Sequence, residues 1–129
     1  MGHSFLERGT RKLLLNDWDI LGTVAILVIG LEDSNDEWPR ARVAVTAWRG
    51  ALGGYGPGCI DLRLSTLDDA TVAELRELAS SLVVGDNSVK RGLSAECLNR
   101  LAIAPGIVFA GLDPAHVVQL LESFDAWFE

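Results

Sequence analysis

The chain has 129 residues, of which 49% are hydrophobic and 22% charged. That is enough for one core, and the sequence is read as a single domain spanning 1–129. Eleven Lys and Arg against 18 Asp and Glu give a formal net charge of −7, which argues against direct nucleic-acid binding, because phosphate contact needs a basic face that displaces counterions.

Met1 leads into a polar segment with no apolar signal core, so the expected location is cytoplasmic. Cys59 and Cys97 are accordingly read as two buried thiols in a reducing compartment. Ser4 and Glu7 have capping-box spacing and predict a first helix ending near Asn16. Leu6, Thr10, Leu13 and Leu14 would line one face of it, and Arg8, Arg11 and Lys12 the other. The uncharged run from Ile20 to Leu31 is twelve residues long. A membrane span needs about 20, so it is read as a buried element of a core and no membrane association is expected. Within it Val24 to Ile29 is rich in β-branched residues and bounded by Gly22 and Gly30, which predicts a strand covered on both faces.

Glu32 to Glu37 reads as a polar loop. Arg42 to Trp48 alternates, with Val43, Val45 and Ala47 on one side, and is taken as a second strand; the alternative is a helix with Pro39 in its first turn. Gly50 to Gly58 holds five glycines in nine residues and reads as a turn or mobile loop. Cys59 to Ser65 alternates cleanly, with Ile60, Leu62 and Leu64 inward, as a half-buried strand. Ser65 or Thr66 then caps a long helix with Leu67, Val72, Leu75, Leu78, Ala79 and Leu82 as its core stripe.

Gly85 to Gly92 reads as a loop, and a shorter helix capped by Ser94 carries Cys97, Leu98 and Leu101. Pro105-Gly106 breaks it, and Ile107 to Phe109 reads as a short buried strand. Asp113-Pro114 opens a final helix with Val117, Leu120, Leu121, Phe124 and Phe128 inward. The order α-β-β-β-α-α-β-α predicts an α+β fold, mainly an antiparallel sheet of about four strands packed against three to four helices.

Little in the sequence points to catalysis. His3 and His116 lie at opposite ends, and neither H-x-x-x-H nor C-x-x-C spacing occurs, so no metal, no cofactor and no catalytic residue is assigned. The glycine-rich stretch leads into a predicted strand and lacks the lysine of a phosphate-binding loop. It is read as a hairpin connection; the alternative is a small enzyme or ligand-binding domain using the Gly50–Gly58 loop, with Tyr55 at its tip and a pocket holding a titratable group beside it. Asp17 and Asp19 flank Trp18 and fit either an acid–base pair or a solvated helix exit with Trp18 turned inward.

The acidic residues have local structure. Glu32, Asp33, Asp36 and Glu37 cluster beside Trp38, and Glu122, Asp125 and Glu129 fall near Trp127. Asp125 and Glu129 are repelling i,i+4 neighbours. An ordinary solvated face is one reading. A protein-binding surface for a basic partner is the other, since carboxylates steer encounter and Trp and Tyr anchor interfaces. A third reading gives the last helix an oligomer interface.

Arg11-Lys12-Leu13-Leu14-Leu15-Asn16-Asp17-Trp18-Asp19-Ile20-Leu21-Gly22 is similar to a leucine-leucine-x-x-tryptophan-aspartate-proline-isoleucine-glycine stretch that recurs in small bacterial domains, some of them immunity proteins of toxin systems. Ile20 stands here where that stretch has proline. As a short acidic α+β domain the chain also resembles immunity proteins of contact-dependent growth inhibition and related polymorphic toxin systems. The resemblance implies a non-enzyme that binds one cognate basic toxin, often a nuclease, and occludes its active cleft. The candidate contacts are Glu32, Asp33, Asp36, Glu37, Trp38, Tyr55, Glu122, Asp125, Trp127 and Glu129.

Overall fold

A computed structural model describes residues 2–34, 37–85 and 87–129. It is α+β, but the predicted four-stranded sheet is replaced by two separate two-stranded antiparallel ladders around a helical core.

The N-terminal segment is a hairpin, not a helix. Strands β1 (His3–Arg8) and β2 (Arg11–Asn16) pair in register from His3↔Asn16 to Arg8↔Arg11. Gly9, at φ 62, supplies the left-handed backbone that so tight a connection demands. Ser4 and Leu6 turn inward while His3, Phe5 and Glu7 face out. The Ser4–Glu7 spacing that suggests a capping box therefore puts these two side chains on opposite faces of a strand.

Helix α1 (Asp17–Asp33) is the centre of the molecule, and every residue from Ile20 to Leu31 is buried. A helix that is apolar all round is one that other elements enclose. This corrects the strand predicted at Val24–Ile29: the continuous apolar run reports enclosure, not backbone type. Gly22 and Gly30 are notches in this helix. A methyl on Gly22 would come within 3.1 Å of Leu120 Cδ1, and one on Gly30 within 2.7 Å of Leu82 Cδ1.

Helix α2 (Pro39–Leu52) replaces the second predicted strand and takes the alternative reading, with Pro39 in its first turn. Ala41, Ala44, Val45, Trp48 and Leu52 are buried at helical spacing, whereas Val43 is 72% exposed. The chain then passes through Ile60, Leu62 and Leu64, buried in alternation with exposed Asp61, Arg63 and Ser65, with Arg63 in the left-handed region at φ 52 leading into a 3-10 turn at Leu64–Thr66. The predicted alternation is present, but the segment pairs in neither ladder. It is fastened to β1 through side chains: Arg8 donates to the carbonyls of Leu64 and Leu67, and Ser65 Oγ to Glu7 O.

Helix α3 (Asp69–Val84) buries Val72, Leu75, Leu78, Ala79 and Leu82 of the predicted stripe, whereas Leu67 precedes the helix and is half-buried; the cap is Asp68, not Ser65 or Thr66, and it accepts the Thr71 N–H at 2.7 Å. A 3-10 turn at Ser88–Arg91 leads to strand β3 (Leu93–Ser94) and helix α4 (Ala95–Arg100), capped by Ser94. Residues 107–109 do not form the predicted strand. Asn99 holds Phe109 by both backbone groups, donating to its carbonyl at 3.0 Å and accepting its N–H at 2.7 Å, so one side chain supplies what a paired strand would.

Strand β4 (Gly111–Leu112) pairs with β3, and Asp113 caps helix α5 (Pro114–Ser123), which continues as a 3-10 turn at Phe124–Phe128. Trp48, Phe124 and Trp127 meet in the core with ring centroids 4.8 to 6.2 Å apart. The last helix therefore spends its apolar face inside the domain. Among the described residues no helix is long and apolar enough to cross a membrane.

Candidate functional site

The first acidic cluster sits at the corner between α1 and α2. Glu32, Asp33 and Glu37 are exposed; Asp36 lies outside the described residues. Arg42 holds this corner together by donating to the carbonyls of Ser34 and Glu37. Glu32 also edges a small cleft of about 180 Å³ that Arg42 and Arg49 share. Trp38 is half-buried against the core and stands at φ 63, in the left-handed region. A bulky residue held there stores strain of order 1–3 kcal/mol, and such positions cluster at functional sites.

The second cluster follows α5. Glu122, Asp125 and Glu129 are exposed, while Trp127 is only 4% exposed and belongs to the core. Asp125 is partnered by Arg76 at 3.1 Å, and Arg11 from β2 donates to the backbone carbonyls of Ala126 and Glu129. Asp125 and Glu129 thus end near arginines that relieve part of their repulsion. The two clusters belong to different helices with different partners, and among the described residues the carboxylates of Glu32, Glu37, Glu122 and Glu129 carry no ion pair or hydrogen bond.

Tyr55 is not at the tip of a mobile loop. Its hydroxyl donates to Asp17 Oδ2 at 2.9 Å, and the Gly58 N–H donates to the same oxygen at 2.9 Å. Ser4 Oγ donates to Asp17 Oδ1 at 2.6 Å and itself accepts the Ile60 N–H at 3.1 Å. Asp17, fully buried at the start of α1, thereby ties the hairpin, the central helix and residues 55–60 together. Burial alone would push its carboxyl up, but the Gly58 N–H, the Ser4 and Tyr55 hydroxyls and the charge of His3 hold it below the ordinary range. The Tyr55 hydroxyl is pushed up to about 12 by burial first, then by its bond to Asp17 and that carboxylate's charge. Asp17 is thus a buried titratable group beside the glycine-rich stretch, with both its oxygens occupied by the protein itself.

Asp17 and Asp19 do not share a role. Asp19 is half-exposed, and its Oδ1 lies 4.0 Å from His116 Nε2. Trp18 between them is 38% exposed, not turned inward, and lines a cleft of about 260 Å³ with Val108, Phe109, Leu112 and His116. Sequence alone could have flagged Trp18 through its two acidic neighbours, but the opposite wall comes from residues some ninety positions later. Cys59 is exposed and Cys97 half-buried, both as free thiols, which corrects the reading of two buried ones. Among the described residues no group of three or more His, Cys, Asp and Glu is placed to hold a metal ion. No protein-family model, curated protein or solved structure was found to match the chain.

Proposed function

We propose that the chain is a non-catalytic binding protein that neutralises a basic partner by occlusion, in the manner of a cytoplasmic immunity protein set against a toxin domain such as a nuclease. The observation that carries this reading is the corner between α1 and α2. There the exposed Glu32 and Glu37 carboxylates carry no ion pair beside a tryptophan held in a left-handed conformation. Carboxylates so placed attract a cationic surface over a Debye length of about 8–10 Å, and a half-buried indole beside them supplies an anchor. Glu122, Asp125 and Glu129 add a second acidic edge, with Trp127 serving to hold that edge in place from the core.

Acidic side chains on such a surface stand in for the phosphates of the partner's nucleic-acid substrate. The test is inhibition by stoichiometric mixing: the purified chain is added to the protein encoded by the adjacent gene, and nuclease activity is followed. The expected result is full inhibition at one equivalent and a co-eluting complex. Undiminished activity with no complex, or catalytic turnover of a small substrate by the chain itself, would overturn the proposal.

A further inference from the structure

Of the four tryptophans, Trp48 and Trp127 are buried and Trp38 is half-buried, whereas Trp18 opens onto a cleft. Its ring meets Phe109 edge-on, centroids 5.4 Å apart and planes at 72°, and both rings line the cleft as a steep corner. Val108, 75% exposed, makes the lip. The corner is preorganised: Asn16 Oδ1 accepts the Trp18 N–H at 2.9 Å to start α1, and Asn99 fixes Phe109 from the other side.

Asp19 follows Trp18 in α1 and stands next to His116, which lines the cleft. Its carboxylate is 4.0 Å from His116, beyond hydrogen-bond range, and no other group of the described residues reaches it. Asp113, the exposed cap of α5, is three residues before His116. The lining contains no lysine or arginine. An acid in the first turn of a helix has a dipole rationale of its own, but that rationale explains neither the open indole nor the exposed Val108 beside it.

We infer that this cleft receives one arginine side chain of the partner, an inference that rests on the basic-partner reading above. Arginine matches both halves of the site. Its methylene stem lies along the apolar walls of Val108 and Phe109. Its delocalised guanidinium stacks on the face of Trp18 and presents paired N–H donors to the Asp19 carboxylate. A purely apolar side chain would shut Asp19 away from water without a partner, and an acidic one would be repelled by Asp19 and Asp113. The volume suits one long side chain, not a helix.

The test is an NMR titration of the full chain with N-acetyl-arginine N-methylamide, run beside the citrulline and norleucine counterparts. Saturable shifts are expected at the Trp18 indole N–H and the amides of Asp19 and Val108 to Gly111. The citrulline probe should bind about 5-fold more weakly, and Asp19→Asn should weaken the arginine probe by a similar factor. Trp18→Leu keeps an apolar wall, removes the aromatic face and should also lose about 5-fold. Norleucine binding as well as arginine, an unaltered affinity in Asp19→Asn, or shifts confined to the Glu32–Glu37 and Glu122–Glu129 regions would each overturn the inference. A basic partner that binds both variants with wild-type affinity counts against the cleft and leaves the basic-partner reading standing. A cleft that takes arginine while no basic partner binds does the reverse.

Discussion

Replacing Asp17 with alanine should be among the most damaging single changes in the molecule. It leaves three donors facing a vacated space: the Ser4 hydroxyl, the Tyr55 hydroxyl and the Gly58 N–H. Each buried donor without a partner costs about 1–3 kcal/mol. Both hydroxyls can rotate and water can enter, so the expected loss is about 3–5 kcal/mol in all, a large part of the 5–15 kcal/mol that holds a typical domain together. Asp17→Asn keeps the shape but sets an amide nitrogen against at least one of those donors, at a cost of about 2 kcal/mol. Because the folded carboxyl lies below its ordinary range, its contribution is present above about pH 4 and lost as pH falls through the folded value. Urea unfolding followed by tryptophan fluorescence should show the full penalty at about pH 7 and a smaller one at about pH 3. A penalty under about 1 kcal/mol for Asp17→Ala, or one that grows on acidification, would refute the assignment of Asp17 as the tie between hairpin, helix and loop.

Gly30→Ala should cost about 1–2 kcal/mol, since the added methyl would meet Leu82 at 2.7 Å and outweigh the gain in helix propensity. Adding Leu82→Ala should make the pair non-additive in a double-mutant cycle, and simple additivity would contradict the close approach. Asn99→Ala should lose about 2 kcal/mol and speed hydrogen exchange at the Phe109 amide, which Asn99 alone restrains from that side. Arg76→Ala, by contrast, breaks an exposed pair with Asp125 and should change stability by less than about 1 kcal/mol in chemical denaturation. Tyr55→Phe should flatten alkaline destabilisation. The hydroxyl is raised to about 12, so its contribution is present below its ordinary range near pH 10 and fades as pH climbs through the folded value.

The later helices are legible in the sequence because they carry local signals, whereas the strand read at 107–109 is absent and the short β3–β4 ladder has no signal of its own. Ser94 and Asp113 accept the amide N–H groups of Cys97 and His116, three residues on, and the α3 stripe keeps a 3.6-residue period. The first half misleads for physical reasons. Helix α1 is enclosed on all sides, so the polar face that would reveal its period is missing. The hairpin hides its alternation in Leu13-Leu14-Leu15, three apolar residues of which Leu14 is exposed. In α2 the outward Val43 imitates strand alternation beside the buried Val45. Residues 59–65 do alternate, but alternation reports which side is buried and not whether another strand lies alongside. The acidic clusters are visible as runs of charge, whereas the Trp18 cleft exists only because the fold brings Phe109 and His116 to the start of α1.

The most direct test of the basic-partner reading is the association rate with the adjacent-gene protein as ionic strength rises, measured for wild type and for paired charge reversals at Glu32 with Glu37 and at Glu122 with Glu129. Steering by these carboxylates should give an association that slows steeply with salt, and at least one reversed pair should bind at least about 10-fold more slowly at low salt. A rate indifferent to salt and to both reversals would mean that the partner is gripped elsewhere, and the acidic surface would lose its assigned role.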